Sequence, residues 1–216
     1  MKASQQFTRL PLLAPLLASG TFAIPKVSTV PLGSNDCARW PGYIDFDYTS
    51  PVYLVVDSAE NSTANGLLTT VQKFTIPGTN TSSTRLVVSM NNSASTVKLP
   101  SYRCHSGQLR LPGPNYDPTA AVVGETLITV HRDYQNSFPI LSEEGLRIAP
   151  YHHEIDGVEG EDVYLGTRGR TTWGFKYFDG GYFEIKLQGG TPEEYDGESV
   201  KGWDPEFYGF LKVITE

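Results

Sequence analysis

Four histidines and 24 carboxylates are the groups in this 216-residue chain that could hold a metal or move a proton. The histidines are His105, His131, His152 and His153. A zinc site needs three or four ligands converging at about 2 Å. Only Tyr151-His152-His153-Glu154-Ile155-Asp156 resembles one locally. If that segment is a strand, His152 and His153 point to opposite faces, and at most one could join His105 or His131. The chain has neither H-E-x-x-H nor C-x-x-C, so surface or half-buried histidines are the expectation and no metal or cofactor is assigned. Glu154, Asp156, Glu159, Glu161 and Asp162 crowd the following stretch, EIDGVEGED. Its spacing departs from the D-x-[DN]-x-[DN]-G calcium loop, and an acidic solvated loop is its commoner meaning.

Glycoside hydrolysis needs two carboxylates about 5 Å or about 6.5–9.5 Å apart across one bond. Asp179, Glu184, Glu194, Asp196 and Asp204 lie near aromatics, but no pair among them stands out. Acyl transfer lacks its G-x-S-x-G elbow, since Gly197-Glu198-Ser199-Val200-Lys201-Gly202 has the wrong spacing. No coherent catalytic set emerges, and an enzyme is the less favoured reading.

The aromatics point instead to binding. Residues 164–216 hold 12 of the 25 aromatic side chains. Rings with one apolar side and one wet edge suit recognition surfaces, and in sugar binding they stack on pyranose faces. Alternation in TTWGFKYF puts Trp173, Phe175 and Tyr177 on one face, and core packing is the commoner fate of such a face. Tyr195 and Trp203 fall in the polar stretch TPEEYDGESVKGWDPE, outside any clear strand. The candidate ligand-binding residues are therefore Trp203, Tyr195 and, less directly, Trp173.

The N-terminus sets the compartment. Lys2 and Arg9 precede the apolar stretch LPLLAPLL, and Thr21-Phe22-Ala23 reads as a small-x-small cleavage signal. Residues 1–23 are thus expected to be a secretory signal peptide, with a mature chain from Ile24. The apolar run is broken by Pro11 and Pro15 and is far shorter than the ~20 residues of a membrane helix. Losing Lys2 and Arg9 takes the net charge from −7 to −9. That charge disfavours nucleic acid and anionic membrane, and favours neutral partners such as a glycan, a cell-wall polymer or another extracellular protein. A start at Ile24 also excludes the copper monooxygenases whose first mature residue is a histidine ligand. In an oxidising compartment the only two cysteines, Cys37 and Cys104, are expected to pair. Three N-x-S/T acceptor sites, Asn61, Asn80 and Asn91, lie in polar stretches that read as exposed loops.

The elements that would position these residues read as β. Residues 24–50 look like an irregular arm punctuated by Pro25, Pro31, Gly33, Pro41 and Gly42. Residues 51–216 form a single β domain. β-branched or aromatic runs at 52–56, 70–76, 85–90, 126–130, 171–178, 182–187 and 207–214 are predicted strands. Asp179-Gly180-Gly181 is the strongest hairpin signal. Thr191-Pro192-Glu193-Glu194 is the best helical candidate, one or two turns at most. Gly107, Gly145 and Gly181 each lead into an alternating strand at a spacing near 40 residues. That spacing favours a β-trefoil-like arrangement, with a Greek-key sandwich or another barrel as alternatives.

The signal, the strand Ser50-Pro51-Val52-Tyr53-Leu54, the acceptor-rich middle and the strands led by G-x-L carry a family resemblance. The chain resembles small secreted fungal proteins of the phialide cell-wall-protein and allergen type. The resemblance implies a secreted or cell-wall protein without an established active site, and it supplies no site residue. The aromatic, acidic C-terminal end departs from that pattern. The leading expectation is a secreted, non-catalytic glycoprotein with a structural or interaction role at the wall or cell surface. A carbohydrate-binding module is the first alternative, and a carboxylate-pair hydrolase the second. N-terminal sequencing of the secreted form is expected to start near Ile24; a start tens of residues downstream would reveal a removed propeptide instead.

Overall fold

The computed structural model describes residues 23–33, 36–45, 47–75, 82–90, 101–111, 126–130, 139–141, 145–188 and 204–215. Within them the protein is all-β and antiparallel throughout. The strands are β1 (Ser28–Pro31), β2 (Tyr43–Asp45), β3 (Tyr48–Thr49), β4 (Val52–Asp57), β5 (Thr69–Thr75), β6 (Ser82–Ser89), β7 (Arg103–His105) and β8 (Gln108–Leu111). They continue as β9 (Thr126–Val130), β10 (Pro139–Leu141), β11 (Leu146–Arg147), β12 (Ala149–Ile155), β13 (Val158–Gly166), β14 (Thr172–Phe178), β15 (Tyr182–Leu187) and β16 (Phe207–Thr215). The one helical turn among the described residues is a 3-10 turn at Ser62–Ala64. All seven strand expectations hold to within a few residues at their ends. The turn expected at Asp179-Gly180-Gly181 joins β14 to β15. The helical candidate at 191–194 lies outside the described residues.

The neighbour order is β1-β12-β13-β16-β14-β15-β6-β10-β9-β8-β7-β3-β2, with β4 on β16, β5 on β6 and β11 on β9. Strand β16 serves both its edges. Val52–Asp57 pairs with Phe210–Thr215 on one side, while Thr172–Phe175 and Tyr164 pair along the other. Strands β13 and β14 thus follow one another along a single edge. Eight residues of chain, from Tyr164 to Thr172, advance only two positions along β16. The surplus is a tight turn in which Thr167 and Arg170 exchange backbone hydrogen bonds of 3.0 Å. Gly166 is required there: a Cβ would stand 1.7 Å from the Arg170 carbonyl oxygen.

Period-two alternation separates two faces. Trp173, Phe175, Phe183, Ile185 and Leu187 lie on one face of β14 and β15. Leu54, Val56, Leu86, Val88, Leu165, Leu211 and Val213 join them in one core cluster. Tyr102, Cys104, Leu109 and Ile128, from the region of β7 to β9, belong to the same cluster. The Tyr102 hydroxyl accepts a 2.9 Å hydrogen bond from Thr69, which satisfies it at full burial.

Two expectations change. The arm at 24–50 is not wholly irregular, because β1, β2 and β3 lie in it and add to opposite ends of the strand order. EIDGVEGED is not a loop. It forms the tip of the β12–β13 hairpin, turned by Asp156 and Gly157 at φ 53° and 79°. Ladder bonds to β12 hold that acidic stretch extended although its side chains face water.

The expected bridge between Cys37 and Cys104 is present. It ties the arm to β7 across 67 residues of sequence. Asp47 accepts a bond from the Cys37 amide and Thr49 one from the Cys104 amide, so both ends are also fixed by side chains. Replacing both cysteines with alanine is expected to lower unfolding stability by roughly 4 kcal/mol in the chain-entropy model. Urea denaturation measures it, and a loss below about 1 kcal/mol would mean that the loop is already restrained without the bridge.

Candidate functional site

The second face of β14 and β15 carries polar side chains and rings. The register sets Gly174 opposite Lys186, Lys176 opposite Glu184, and Phe178 opposite Tyr182. Glu184 lies beside Val87 of β6, and Arg85 lies opposite Gln72 of β5, so the face continues across four strands. Arg85 donates a 2.8 Å charged hydrogen bond to the Glu184 carboxylate. Its guanidinium carbon sits 4.7 Å from the centre of the Phe74 ring. Phe74 meets Phe178 and Tyr182 edge-on at 5.8 and 6.0 Å. Phe178 and Tyr182 are nearly parallel, 5.6 Å apart with a 20° tilt.

This face holds charge at low exposure. Glu184 is 8% exposed and Lys186 5%. Burial lowers the Lys186 ammonium from its ordinary value to about 8; Glu184 opposes that shift, and Arg85 and Lys176 add to it. Burial raises the Tyr182 phenol, and the nearby charges of Glu184 and Asp179 raise it further. A buried ion pair contributes little or nothing net compared with well-packed apolar residues. Charges kept under such conditions, beside the exposed Phe178 ring and the half-buried Phe74 and Tyr182 rings, mark a face shaped by something other than stability. The far end is covered, since a Cβ on Gly174 would meet Gln188 and Pro205. The accessible part is the end bearing Phe178, which is 44% exposed.

A second cluster lies where β12, β13, β16 and β4 meet. His153 stacks on Tyr164 at 3.8 Å and meets the Phe210 edge at 4.4 Å. Its Nε2 shares a 2.8 Å hydrogen bond with the Thr171 hydroxyl. The Tyr164 hydroxyl donates to Asp57, which also accepts from Ser58. Burial pushes the Tyr164 phenol up, and the Asp57 carboxylate pushes it further. Burial lowers His153 to about 4, against a smaller opposing pull from Asp57. With His153 and Thr171 both buried, this set packs the sheet and offers no opening to a substrate.

The sequence candidates fall elsewhere. Trp173 is fully buried, and its ring nitrogen donates to the Leu165 carbonyl, so it is a core residue and not a binding platform. Tyr195 and Trp203 lie outside the described residues, as do Asn80, Asn91 and His131. Asn61 is exposed, caps the 3-10 turn and accepts from the Thr63 amide and hydroxyl. His105 stacks on Tyr48 at 4.1 Å, and His152 pairs with Glu159 at 2.7 Å. Among the described residues no three metal-binding side chains converge, and no helix is long and apolar enough to cross a membrane. Sequence reasoning missed Phe74, Arg85, Lys176 and Phe178. For Lys176 and Phe178 the signal was the second phase of the alternation in TTWGFKYF, which they share with Tyr182, Glu184 and Lys186 of YFEIKL; Phe74 and Arg85 lie on other strands, and only the register brings them to this face.

No protein-family model matches the chain, and no curated protein does.

The His153 cluster generates a pH prediction. Below about 6.5 the unfolded chain protonates this histidine, while the folded chain refuses the proton until about 4. Its contribution to stability is therefore fully present above pH 6.5 and is lost as the pH falls toward 4. His153→Phe removes that titration. Urea unfolding of both proteins between pH 7.5 and 4 is expected to give a smaller acid loss for the variant. Equal pH slopes would show that His153 protonates freely in the folded state.

Proposed function

We propose that this chain is a secreted, non-catalytic glycoprotein with an interaction or structural role at the cell wall or extracellular surface. One observation carries the reading: the Phe74, Phe178 and Tyr182 rings stand beside the Arg85–Glu184 pair on a face the core cluster does not use. These side chains sit on strands, which hold a contact surface more rigidly than loops do. The Cys37–Cys104 bridge suits an oxidising compartment, and the resemblance to phialide-type and allergen-type wall proteins supports the location. At Asn61 the cap uses the amide oxygen, so a glycan on the amide nitrogen leaves the cap intact. The same rings favour a carbohydrate-binding module as the second reading.

For the fold we propose the β-trefoil-like arrangement that the glycine spacing suggests. Gly107 and Gly181 support it, each lying in a hairpin turn. Gly145 does not, because it leads into β11, which pairs with β9 rather than with a strand across a tight turn.

Expression in a secreting fungal host, followed by separation of wall and medium, tests the function. The wild type is expected to stay with the wall fraction, and Phe178→Ala to shift severalfold into the medium. The control Ile44→Ala, at an exposed residue elsewhere, is expected to behave as wild type. Equal partition of wild type and Phe178→Ala would remove the interaction role. In the same material, treatment with a peptide-N-glycosidase, which hydrolyses the glycosylated side-chain amide, is expected to convert Asn61 to aspartate, and an Asn61 left unchanged would remove the glycan there.

A further inference from the structure

We propose that Arg103, Arg110 and Arg147 form a binding site for the carboxylate or sulfate groups of an acidic polysaccharide. The inference rests on the extracellular interaction role proposed above and adds a second contact, away from the Phe178 end. The register brings the three arginines together from separate segments. Arg103 of β7 lies directly opposite Arg110 of β8. Arg110 in turn lies opposite Leu127 of β9, and Arg147 of β11 lies opposite Thr129. Strand β10 takes the other edge of β9, since Ile140 also pairs with Thr129. Strands β8 and β11 therefore follow one another along a single edge of β9. Leu127 and Thr129 are two positions apart, so period-two alternation sends Arg103, Arg110 and Arg147 to one face. Their chain neighbours Cys104, Leu109 and Ile148 belong to the core cluster on the other face. Adjacent backbone positions in this group are roughly 5 to 7 Å apart.

The arrangement has a cost that an anion removes. Like charges directly opposite in an antiparallel pair are destabilising, and Arg103 faces Arg110 in that way. The guanidiniums are also partly fixed in advance. Gln108 accepts a 2.8 Å hydrogen bond from Arg110. The Nε atoms of Arg103 and Arg110 are buried although both residues are only half-buried, so their side chains lie along the sheet. Arg147 is exposed. Each planar guanidinium can offer two parallel hydrogen bonds to one oxyanion. Carboxylates are scarce on this face. Along the neighbour order from β3 to β14, Glu184 is the one acidic strand residue on it among the described residues, and it already bonds Arg85. Asp45 of β2 stands beyond Tyr48, at the border. Ile140 carries the face on to Arg85, a further cation.

The contrast with the rest of the chain selects the polymer. The net charge is −7, yet three arginines converge here. A DNA duplex carries one charge per ~1.7 Å, so most of its phosphates would face an acidic protein. An acidic polysaccharide spaces its charges by sugar rings, on the scale of the separations between these arginines, and only a few need neutralising at once.

Isothermal titration on the secreted, disulfide-bonded protein at low ionic strength tests the proposal. The probes are oligogalacturonate for carboxylates, a heparin-derived hexasaccharide for sulfates, cellohexaose as the neutral comparison, inorganic sulfate, and a short DNA duplex. At least one acidic oligosaccharide is expected to bind in the micromolar-to-millimolar range, and more weakly as salt is added. Arg147→Gln, at an exposed residue, is expected to weaken it roughly tenfold with an unchanged melting temperature. Arg103→Gln and Arg110→Gln are expected to weaken it at least as much. Lys26→Gln removes an exposed cation just before β1 and is expected to leave the affinity unchanged.

The proposal is overturned if neither acidic oligosaccharide binds at millimolar concentration, or if cellohexaose or inorganic sulfate binds as tightly. Tighter binding of the DNA duplex also overturns it, as do equal losses from Arg147→Gln and Lys26→Gln. The two readings fail separately. The arginine site falls alone if the acidic oligosaccharides do not bind while Phe178→Ala still releases the protein from the wall. Both fall if wall partition is also unchanged.

Discussion

The ladder around β16 joins the parts of the chain farthest apart in sequence. Val52, near the start of the β domain, pairs with Thr215, near its end. On the opposite edge, β16 holds β13 and β14 in line. Because both edges are occupied, neither face of β16 is set by a solvent-facing edge. Phe207, Leu211 and Val213 fill the core on one side, while Phe210 packs against His153 and Tyr164 on the other. Gly209 fits this crowding, since a Cβ there would stand 3.0 Å from Ala59 and 3.3 Å from the Phe175 ring. Contacts of such long sequence separation carry a large loop-closure cost before they are rewarded. The Cys37–Cys104 bridge reduces that cost for the first half of the chain. β16 supplies the closure for the second.

The candidate face follows from the same geometry. Once Trp173, Phe175 and Ile185 are committed to the core, alternation turns Lys176, Phe178, Glu184 and Lys186 to the other side. A one-residue slip of β14 would turn Lys176 toward the apolar core and Trp173 away from it. The hairpin turn prevents it, with Gly180 and Gly181 at φ 109° and 81°, values that L side chains rarely adopt. Core packing and the presentation of the rings are thus two consequences of one register.

Strands were legible wherever β-branched and aromatic residues alternate, as in VYLVV and YFEIKL, because burial of one face leaves a period of two in the chain itself. The pairing of Cys37 with Cys104 was legible from compartment and count. The β12–β13 hairpin was not, although Ile155-Asp156-Gly157-Val158 holds the Asp-Gly dipeptide that tight hairpins favour. Its flanks are acidic and exposed, so propensity and hydrophobicity argued for a loop, and cross-strand hydrogen bonds overrode both. Trp173 takes the commoner fate of its face, core packing. A tryptophan among other aromatics suggested a platform, but its ring nitrogen finds the Leu165 carbonyl inside the core. The candidate face was hidden because Phe74, Arg85 and Glu184 come from three segments, and only the register between strands brings them together.

Arg85 and Glu184 explain why such a face persists. In water their attraction would be weak, and at their low exposure each gives up hydration that the pair only partly replaces. Apolar residues of similar volume would serve the sheet as well or better. The pair's distinctive property is directional. It presents a donor and an acceptor at fixed separation beside three rings, held by four strands rather than by a loop. Lys176, directly opposite Glu184 across the ladder, keeps a second cation near that carboxylate. Lys186 extends the charged row but is buried deeply enough that its ammonium is weakened to about 8. Exposure therefore falls along this face from Phe178 toward Lys186. Contact with a partner belongs at the Phe178 end, while the deeper charges hold the accessible ones in place.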